Sequence, residues 1–347
     1  MTPSRNSKSA AASPTQSGRS SGGRTLQNSS RGHHILAPGI GLGATLAGAA
    51  LLISACGGSS SLEGDSGAST GSAANQSGAA SSTTLVVGSQ DYYSNEIIAE
   101  VYAQALEAEG YTVDRQMRIG QREVYMPELQ EGSIDVFPEY TGNLLQYLDA
   151  DATVAAADEV YAALAKAMPE NLRVLDQSDA SDQDTYVVTK EFADANNVSS
   201  LADLAGIEGL VVGGNSELET RPYGPTGLKD IYGVNVGFTP IEDSGGSLTV
   251  KALRDDDVQL VDIYSADPVL AGGDLVTLED PKGMFLASHV VPLASDKVDE
   301  AATAVINKVS AAMSAQDLVE LNRQSVEDQA SAGDIAAKWL KAEGLVD

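Results

Sequence analysis

Residues 85–119 read LVVGSQDYYSNEIIAEVYAQALEAEGYTVDRQMRI, one strand–helix–strand pattern within 35 residues. LVVGS (85–89) is a short apolar run with Gly88 at its end, the pattern of a buried strand. Ile98, Val101, Tyr102 and Ala105 then recur at helical spacing, with Ser94 as an expected cap and Gly110 as the stop. YTVDRQMRI (111–119) alternates as a second strand would. Strand, helix and strand at these lengths make a βαβ unit.

Outward from it the alternation continues. A helix is expected over 121–131, where Pro127 argues for a start later than Gln121, followed by a strand at IDVFPEY (134–140). Helical stretches run to about Met168, and RVLDQS ends at Ser178. A second series begins at TYVVTK (185–190). It continues through SLADLAG (200–206) with Ser200 as cap, GLVVGGN (209–215), GLKDIYG (227–233), VNVGFTPI (234–241), SLTVKALRDD (247–256) and VQLVDIY (258–264). DLVTLED and MFLASHVVPLAS precede three helical segments near 297–313, 315–323 and 332–343. Such alternation implies α/β architecture with largely parallel sheets and helices on both faces. Two series with a late helical tail imply two lobes, with crossing strands near 184–190 and 286–293. The expected division is 84–186 with 291–347 for lobe 1 and 187–290 for lobe 2. Ligands in such folds sit at the carboxyl ends of strands, here in the cleft between the lobes.

The charge balance narrows function. The 347 residues hold 21 Lys plus Arg against 49 Asp plus Glu, a net charge of −28, which excludes a nucleic-acid binder working through a basic surface. With 42% hydrophobic residues the chain can bury a core or two. A single cysteine excludes an internal disulfide and thiolate zinc sites, and His289 is the one histidine beyond His33 and His34. No metal site and no cofactor motif is expected: P-loop, H-E-x-x-H and EF-hand patterns are missing, and G-x-S-x-G occurs only in the Gly/Ser-rich stretches at 18–22 and 67–71, not beyond residue 83. Asp255-Asp256-Asp257 reads as a solvated helix end or a cation site, and His289 as a packing residue or a base. Among 49 acidic residues, carboxylate pairs near a cleft carry no signal.

Residues 1–34 are Ser/Gly-rich with five basic and no acidic residues. The apolar run ILAPGIGLGATLAGAALLI (35–53) and Ser54-Ala55-Cys56 follow. A basic segment, an apolar segment and small residues before a cleavage point make a secretory signal, although the run is long enough for an anchor helix. Ile53-Ser54-Ala55-Cys56 resembles the bacterial lipobox, in which the cysteine becomes the lipidated first residue; residues 1–55 would then be a signal peptide. Each buried methylene of an acyl chain contributes about 0.8 kcal/mol, so two chains anchor stably. Residues 56–83 are nearly free of large apolar groups and are expected to form a flexible Gly/Ser/Ala tether. Removing the signal leaves 16 basic residues against 49 acidic ones, a net charge of −33.

Aromatics are few, and 12 of them are Tyr. Tyr140, Tyr186 and Tyr264 fall at the ends of predicted strands, where a two-lobed α/β protein opens its cleft. Converging rings attract a cation at roughly 0.5–2 kcal/mol each. Alternatively, these tyrosines pack at strand ends with wet hydroxyls.

VVGSQDYYSNEIIAEVYAQALEAEGY, GSIDVFPEYTGNLLQYL, ELETRPYGPTGLKDIYG, VDIYSAD and LVTLEDPKGMF follow one another between residues 86 and 285. In order and spacing they resemble the glycine betaine/choline-type (OpuAC-like) substrate-binding proteins of ABC transporters. The resemblance runs from about Leu85 to Leu345, and Phe137-Pro138-Glu139-Tyr140-Thr141-Gly142, close to that family's Y-P-E-Y-T-G, is its most specific part. It implies a periplasmic-binding-protein-like (type II) fold whose lobes close on a ligand. Tyr140, Tyr186 and Tyr264 match positions that supply rings to an ammonium cage, and Arg221 matches a cleft arginine that holds a betaine carboxylate. Gln90 lies in the loop facing the cleft, Asn143 stands where many relatives have Thr, and Asp267 follows Ser265-Ala266 where they have Ser/Thr-Thr-Asp. Ser288 stands near the position of a further tyrosine, which makes the expected cage wider and more polar.

The function so implied is capture of a quaternary-ammonium or zwitterionic compatible solute (glycine betaine, choline, carnitine or a related betaine). The implied protein is a lipid-anchored, extracytoplasmic, monomeric and non-enzymatic component that serves an ABC permease and its ATPase. Two other readings use the same cleft: binding of a different, amino-acid-like solute, and a surface-anchored hydrolase using cleft carboxylates.

Overall fold

Two five-stranded sheets organise the chain. The computed structural model describes residues 84–347; the expected signal segment, Cys56 and tether lie outside the described residues. In chain order, β1 (Thr84–Gly88), α1 (Tyr93–Ala108), β2 (Thr112–Gln116), α2 (Arg122–Glu131), β3 (Val136–Tyr140), α3 (Thr141–Leu148), α4 (Ala157–Ala167) and β4 (Leu172–Val174) come first. The second sheet follows with β5 (Asp184–Thr189), α5 (Lys190–Asn196), β6 (Val211–Gly214), α6 (Pro225–Gly227), β7 (Gly237–Pro240), α7 (Ser247–Arg254), β8 (Leu260–Tyr264) and β9 (Leu275–Thr277). The chain then returns through β10 (Val290–Ser295) to α8 (Glu300–Ala312), α9 (Ala315–Val326) and α10 (Ala332–Ala342).

The first sheet runs in the order β2-β1-β3-β10-β4 and the second in the order β7-β6-β8-β5-β9, and both are mixed rather than largely parallel. β1 pairs in parallel with β2 and β3, and β6 with β7 and β8, as helical crossovers require. β10 lies antiparallel to β3 and β4, while β5 lies antiparallel to β8 and β9. The cause is the crossing itself: each of these strands enters its sheet from the other lobe and so runs against its neighbours.

Strand alternation sorts the first core onto two faces. Leu85, Val87, Val136, Tyr140, Val290 and Ala294 pack under α1 and α8–α10, whereas Phe137, Val291 and Leu293 pack with α2–α4. In the second sheet Tyr186, Val188 and Leu260 face one side, and Val187, Val261 and Ile263 the other. Full burial of each large aliphatic chain contributes roughly 1.5–3 kcal/mol. Pro138 faces Pro292 across the β3/β10 ladder. Because Thr141 N–H bonds the His289 carbonyl three residues on, the proline pair falls at a non-hydrogen-bonded position and the ladder loses no bond.

Several local expectations differ from the fold. Tyr92, not Ser94, is the N-cap of α1, because the Ser94 hydroxyl is directed to the Asp182 carboxylate at 3.1 Å. α2 starts at Arg122, later than Gln121 as expected, and Pro127 lies inside it. The Ser200 segment is a short 3₁₀ turn, in which the Asp203 carboxylate accepts the Ser200 N–H at 2.9 Å. Asp255–Asp257 close α7 in solvent, and Lys251 pairs with Asp255. Among the described residues, no helix is long and apolar enough to cross a membrane.

Candidate functional site

The motif FPEYTG builds one wall of a cavity between the two sheets. Within it Glu139, fully buried, takes two bonds from Arg122 (2.8 and 2.9 Å), one from the Tyr125 hydroxyl and one from the Tyr140 N–H at 2.8 Å. Its oxygens are thereby saturated, and its work is to hold the β3–α3 turn. The Asn95 amide donates to the Pro138 carbonyl at 3.0 Å and its oxygen accepts the Gln90 N–H at 2.9 Å, so the loop after β1 is tied to the same turn. Gly142 must be glycine: a Cβ there would lie 2.7 and 2.8 Å from the Leu286 and Ala287 carbonyl oxygens.

These ties place side chains at the carboxyl ends of β1, β3, β6 and β8 around a polar cavity. Four tyrosines line it, Tyr92, Tyr140, Tyr223 and Tyr264, with the Tyr92 and Tyr264 rings 5.0 Å apart and tilted by 51°. Burial pushes all four phenols upward, so the rings stay neutral. Asp182, Asp184, Glu217 and Asp262 supply four carboxylates. Burial raises Asp182 to about 7, although the Ala266 N–H (2.9 Å) and the Ser94 hydroxyl oppose the shift. Asp262 is also held well above the usual carboxylate range, by burial first and then by the charge of and hydrogen bond with Asp184. The free volume is about 30 Å³, room for about two waters.

Of the residues expected from sequence, Gln90, Tyr140, Asn143, Arg221 and Tyr264 reach this cavity. Asn143 spans it: its amide donates to Asp184 and, at 3.0 Å, to the Tyr223 hydroxyl. Arg221 enters already engaged, with two bonds of 2.7 and 3.1 Å to Glu123 on α2.

Three expected residues lie outside the lining. Tyr186 is fully buried, two residues along β5 from Asp184 and therefore about 6.6 Å deeper into the second lobe. Its hydroxyl donates to the Tyr223 carbonyl at 2.9 Å and its ring packs on Phe285, so it supports Tyr223 from behind. Asp267 caps the turn after β8 by accepting the Val269 N–H, and it takes the Tyr93 hydroxyl at 2.8 Å. Ser288 stands behind Asn143, donating to its side-chain oxygen at 2.6 Å. His289 packs against the chain, with Nδ1 3.0 Å from the Ser178 carbonyl.

Tyr92, Arg122, Tyr223, Asp182, Asp184, Asn215, Glu217 and Asp262 also line it, and the sequence alone did not mark them as site residues. For two of them a signal existed: Tyr92 shares its loop with Gln90, and Tyr223 is two residues from Arg221.

Comparison with known proteins follows the same lines. The family model for the substrate-binding domain of ABC-type glycine betaine transport systems matches residues 83–342. The chain is 25% identical over 274 residues to the glycine betaine-binding protein YehZ of Escherichia coli (strain K12), covering 74% of this chain and 90% of that one. In fold it is similar to a crystal structure of a glycine betaine/carnitine/choline ABC transporter protein (TM-score 0.61, 19% identity), which covers 77% of this chain and 100% of that one. It is also similar to lactococcal OpuAC in its closed, glycine betaine-bound form (TM-score 0.55, 14% identity, 75% and 96% covered). The chain belongs to the family of glycine betaine-type substrate-binding proteins of ABC transporters.

Proposed function

We propose that this protein captures a small quaternary-ammonium or zwitterionic compatible solute in the tyrosine-lined cavity and presents it to an ABC permease and its ATPase. Glycine betaine, choline, carnitine and related betaines are the candidates. Lobe 1 would comprise 84–186 and 291–347, and lobe 2 would comprise 187–290. Cys56 would carry the lipid that holds a monomer at the outer face of the membrane.

The observation that carries this reading is the convergence of four neutral tyrosine rings on one buried cavity. A quaternary ammonium has no N–H to donate, so ring faces and carboxylates are what can hold it. The cavity is too narrow, at about 30 Å³, for a solute of this size, so ligand entry requires the lobes to part and re-close on it. No bond need be made or broken.

Titration calorimetry with glycine betaine, choline and carnitine tests the reading. Micromolar binding is expected, weakened strongly by Tyr140→Ala and by Tyr264→Ala; no heat with any member of the panel refutes it. For the anchor, a Cys56→Ala chain should appear in the medium instead of the membrane fraction.

A further inference from the structure

Asp182 is a buried carboxyl that no cation balances. It stands two residues before β5, in the segment that carries the chain from the first sheet to the second, and is 4% exposed on the cavity wall. One oxygen accepts the hydroxyl of Ser94, in the first turn of α1, at 3.1 Å. The other accepts the N–H of Ala266, just beyond β8, at 2.9 Å. Both donors are neutral, and among the described residues no lysine, arginine or histidine pairs with it.

The groups that face Asp182 add no positive charge either. They are the phenols of Tyr92 and Tyr93 at the start of α1, the phenol of Tyr140 at the end of β3, and the carboxyls of Asp184 on β5 and Asp267 in the turn after β8. The two arginines of the cavity wall are committed elsewhere, Arg122 to Glu139 and Arg221 to Glu123. A carboxylate taken out of water without a counter-charge is unfavourable, and it escapes by keeping its proton. Burial accordingly raises the Asp182 carboxyl to about 7, against the two hydrogen bonds that favour its ionised form. Tyr92 and Tyr140 line the cavity as well, so an ammonium held by those rings brings to Asp182 the positive charge that the protein withholds.

Resting on the reading above, we infer that Asp182 is a proton-exchange site: it is protonated in the ligand-free protein and gives its proton to solvent when a ligand ammonium enters the cavity. The O–H bond of the carboxyl breaks, the proton passes to water or buffer, and no bond of the ligand changes. One positive charge enters the cavity as one leaves it. Because Asp182 ties α1 of the first lobe to the end of β8 in the second, the exchange takes place where the two sheets are joined.

Titration calorimetry with glycine betaine, choline and carnitine at pH 6.5, run in phosphate and in MES, tests the coupling. The two buffers take up a proton with different heats, so a released proton appears as a buffer-dependent binding enthalpy. The dissociation constant should fall as pH rises, by up to about tenfold per pH step of one below 7, and level off above about pH 8, where the ligand-free carboxyl has already ionised. Asp182→Asn cannot ionise there, and the buffer dependence and the pH slope should both shrink. Ser94→Ala removes a bond that favours the ionised form, so the pH step should move upward; this variant carries the test if Asp182→Asn folds poorly. Equal enthalpies in the two buffers for the wild type overturn the inference and leave the solute-capture reading standing. A release undiminished in Asp182→Asn, or a pH step unmoved in Ser94→Ala, overturns it too. Failure of all three ligands to bind overturns both.

Discussion

Arg221, beyond β6, grips Glu123 on α2 through two parallel hydrogen bonds of 2.7 and 3.1 Å, and so joins the two lobes across the mouth of the cavity. The Asn143 amide does the same deeper inside, from α3 to Asp184 and Tyr223. The closed arrangement is thus held by side chains that reach from one sheet to the other.

Glu123→Ala should loosen that closure. The Glu123 side chain is 50% exposed, so the pair contributes at most about 1 kcal/mol after solvent screening. Little loss of thermal stability is expected, but small-angle scattering of the ligand-free protein should give a larger radius of gyration than wild type. An unchanged radius would remove the latch from the description.

The tyrosine rings should matter individually. Tyr92→Ala and Tyr264→Ala each remove one face of a ring pair 5.0 Å apart. Losses of about two- to thirtyfold in affinity for a quaternary ammonium are expected, corresponding to roughly 0.5–2 kcal/mol. Tyr→Phe at the same positions should retain most of the binding, since the ring face is kept.

Stability should fall with rising pH. The Asp182 carboxyl titrates near 7 in the folded protein and near 3.8 when exposed, chiefly because it is buried. The folded state therefore keeps a proton that the unfolded chain gives up. Its contribution is full below about pH 4 and is lost as pH rises through 7, at about 1.4 kcal/mol for each pH step of one between those values. Asp184 and Asp267 add repulsion from nearby, while Ser94 and the Ala266 N–H oppose it. Burial moves Glu217, Asp262 and Asp267 in the same direction. The thermal midpoint at fixed ionic strength should decline between about pH 5 and pH 8, and Asp182→Asn should flatten part of that slope.

The buried pair under the motif should be costly to break from one side. Arg122→Ala leaves Glu139 charged and fully buried, and about 3–5 kcal/mol of unfolding free energy should be lost in urea titrations. Replacing both partners with apolar residues should cost clearly less than Arg122→Ala alone.

Much of this architecture is legible in the chain itself, because hydrophobic periodicity reports which faces are buried and the PEYTG turn is local. Strand direction in β5 and β10 is not, since the crossing that reverses them is a tertiary event. At the site, Tyr140 and Tyr264 follow from their places at strand ends. Tyr186 misleads because it begins a run of strand residues, and the sequence carries no measure of how deep in the lobe that run starts. The carboxylates stayed hidden for a different reason: Asp182, Asp184 and Asp262 differ from the other acidic residues only in what surrounds them. Arg221 and Glu123 lie 98 positions apart, so their pairing leaves no local trace.

The placement of β10 also fixes an order of events during synthesis. It sits between β3 and β4 in the first sheet, yet it is made only after the whole second sheet, whose strands lie between Asp184 and Thr277. A chain emerging from its amino end completes the interior lobe while the first one still lacks an inner strand and its last three helices. Until Ser295 has emerged, β3 and β4 both lack the strand that pairs with them, and each presents an open edge.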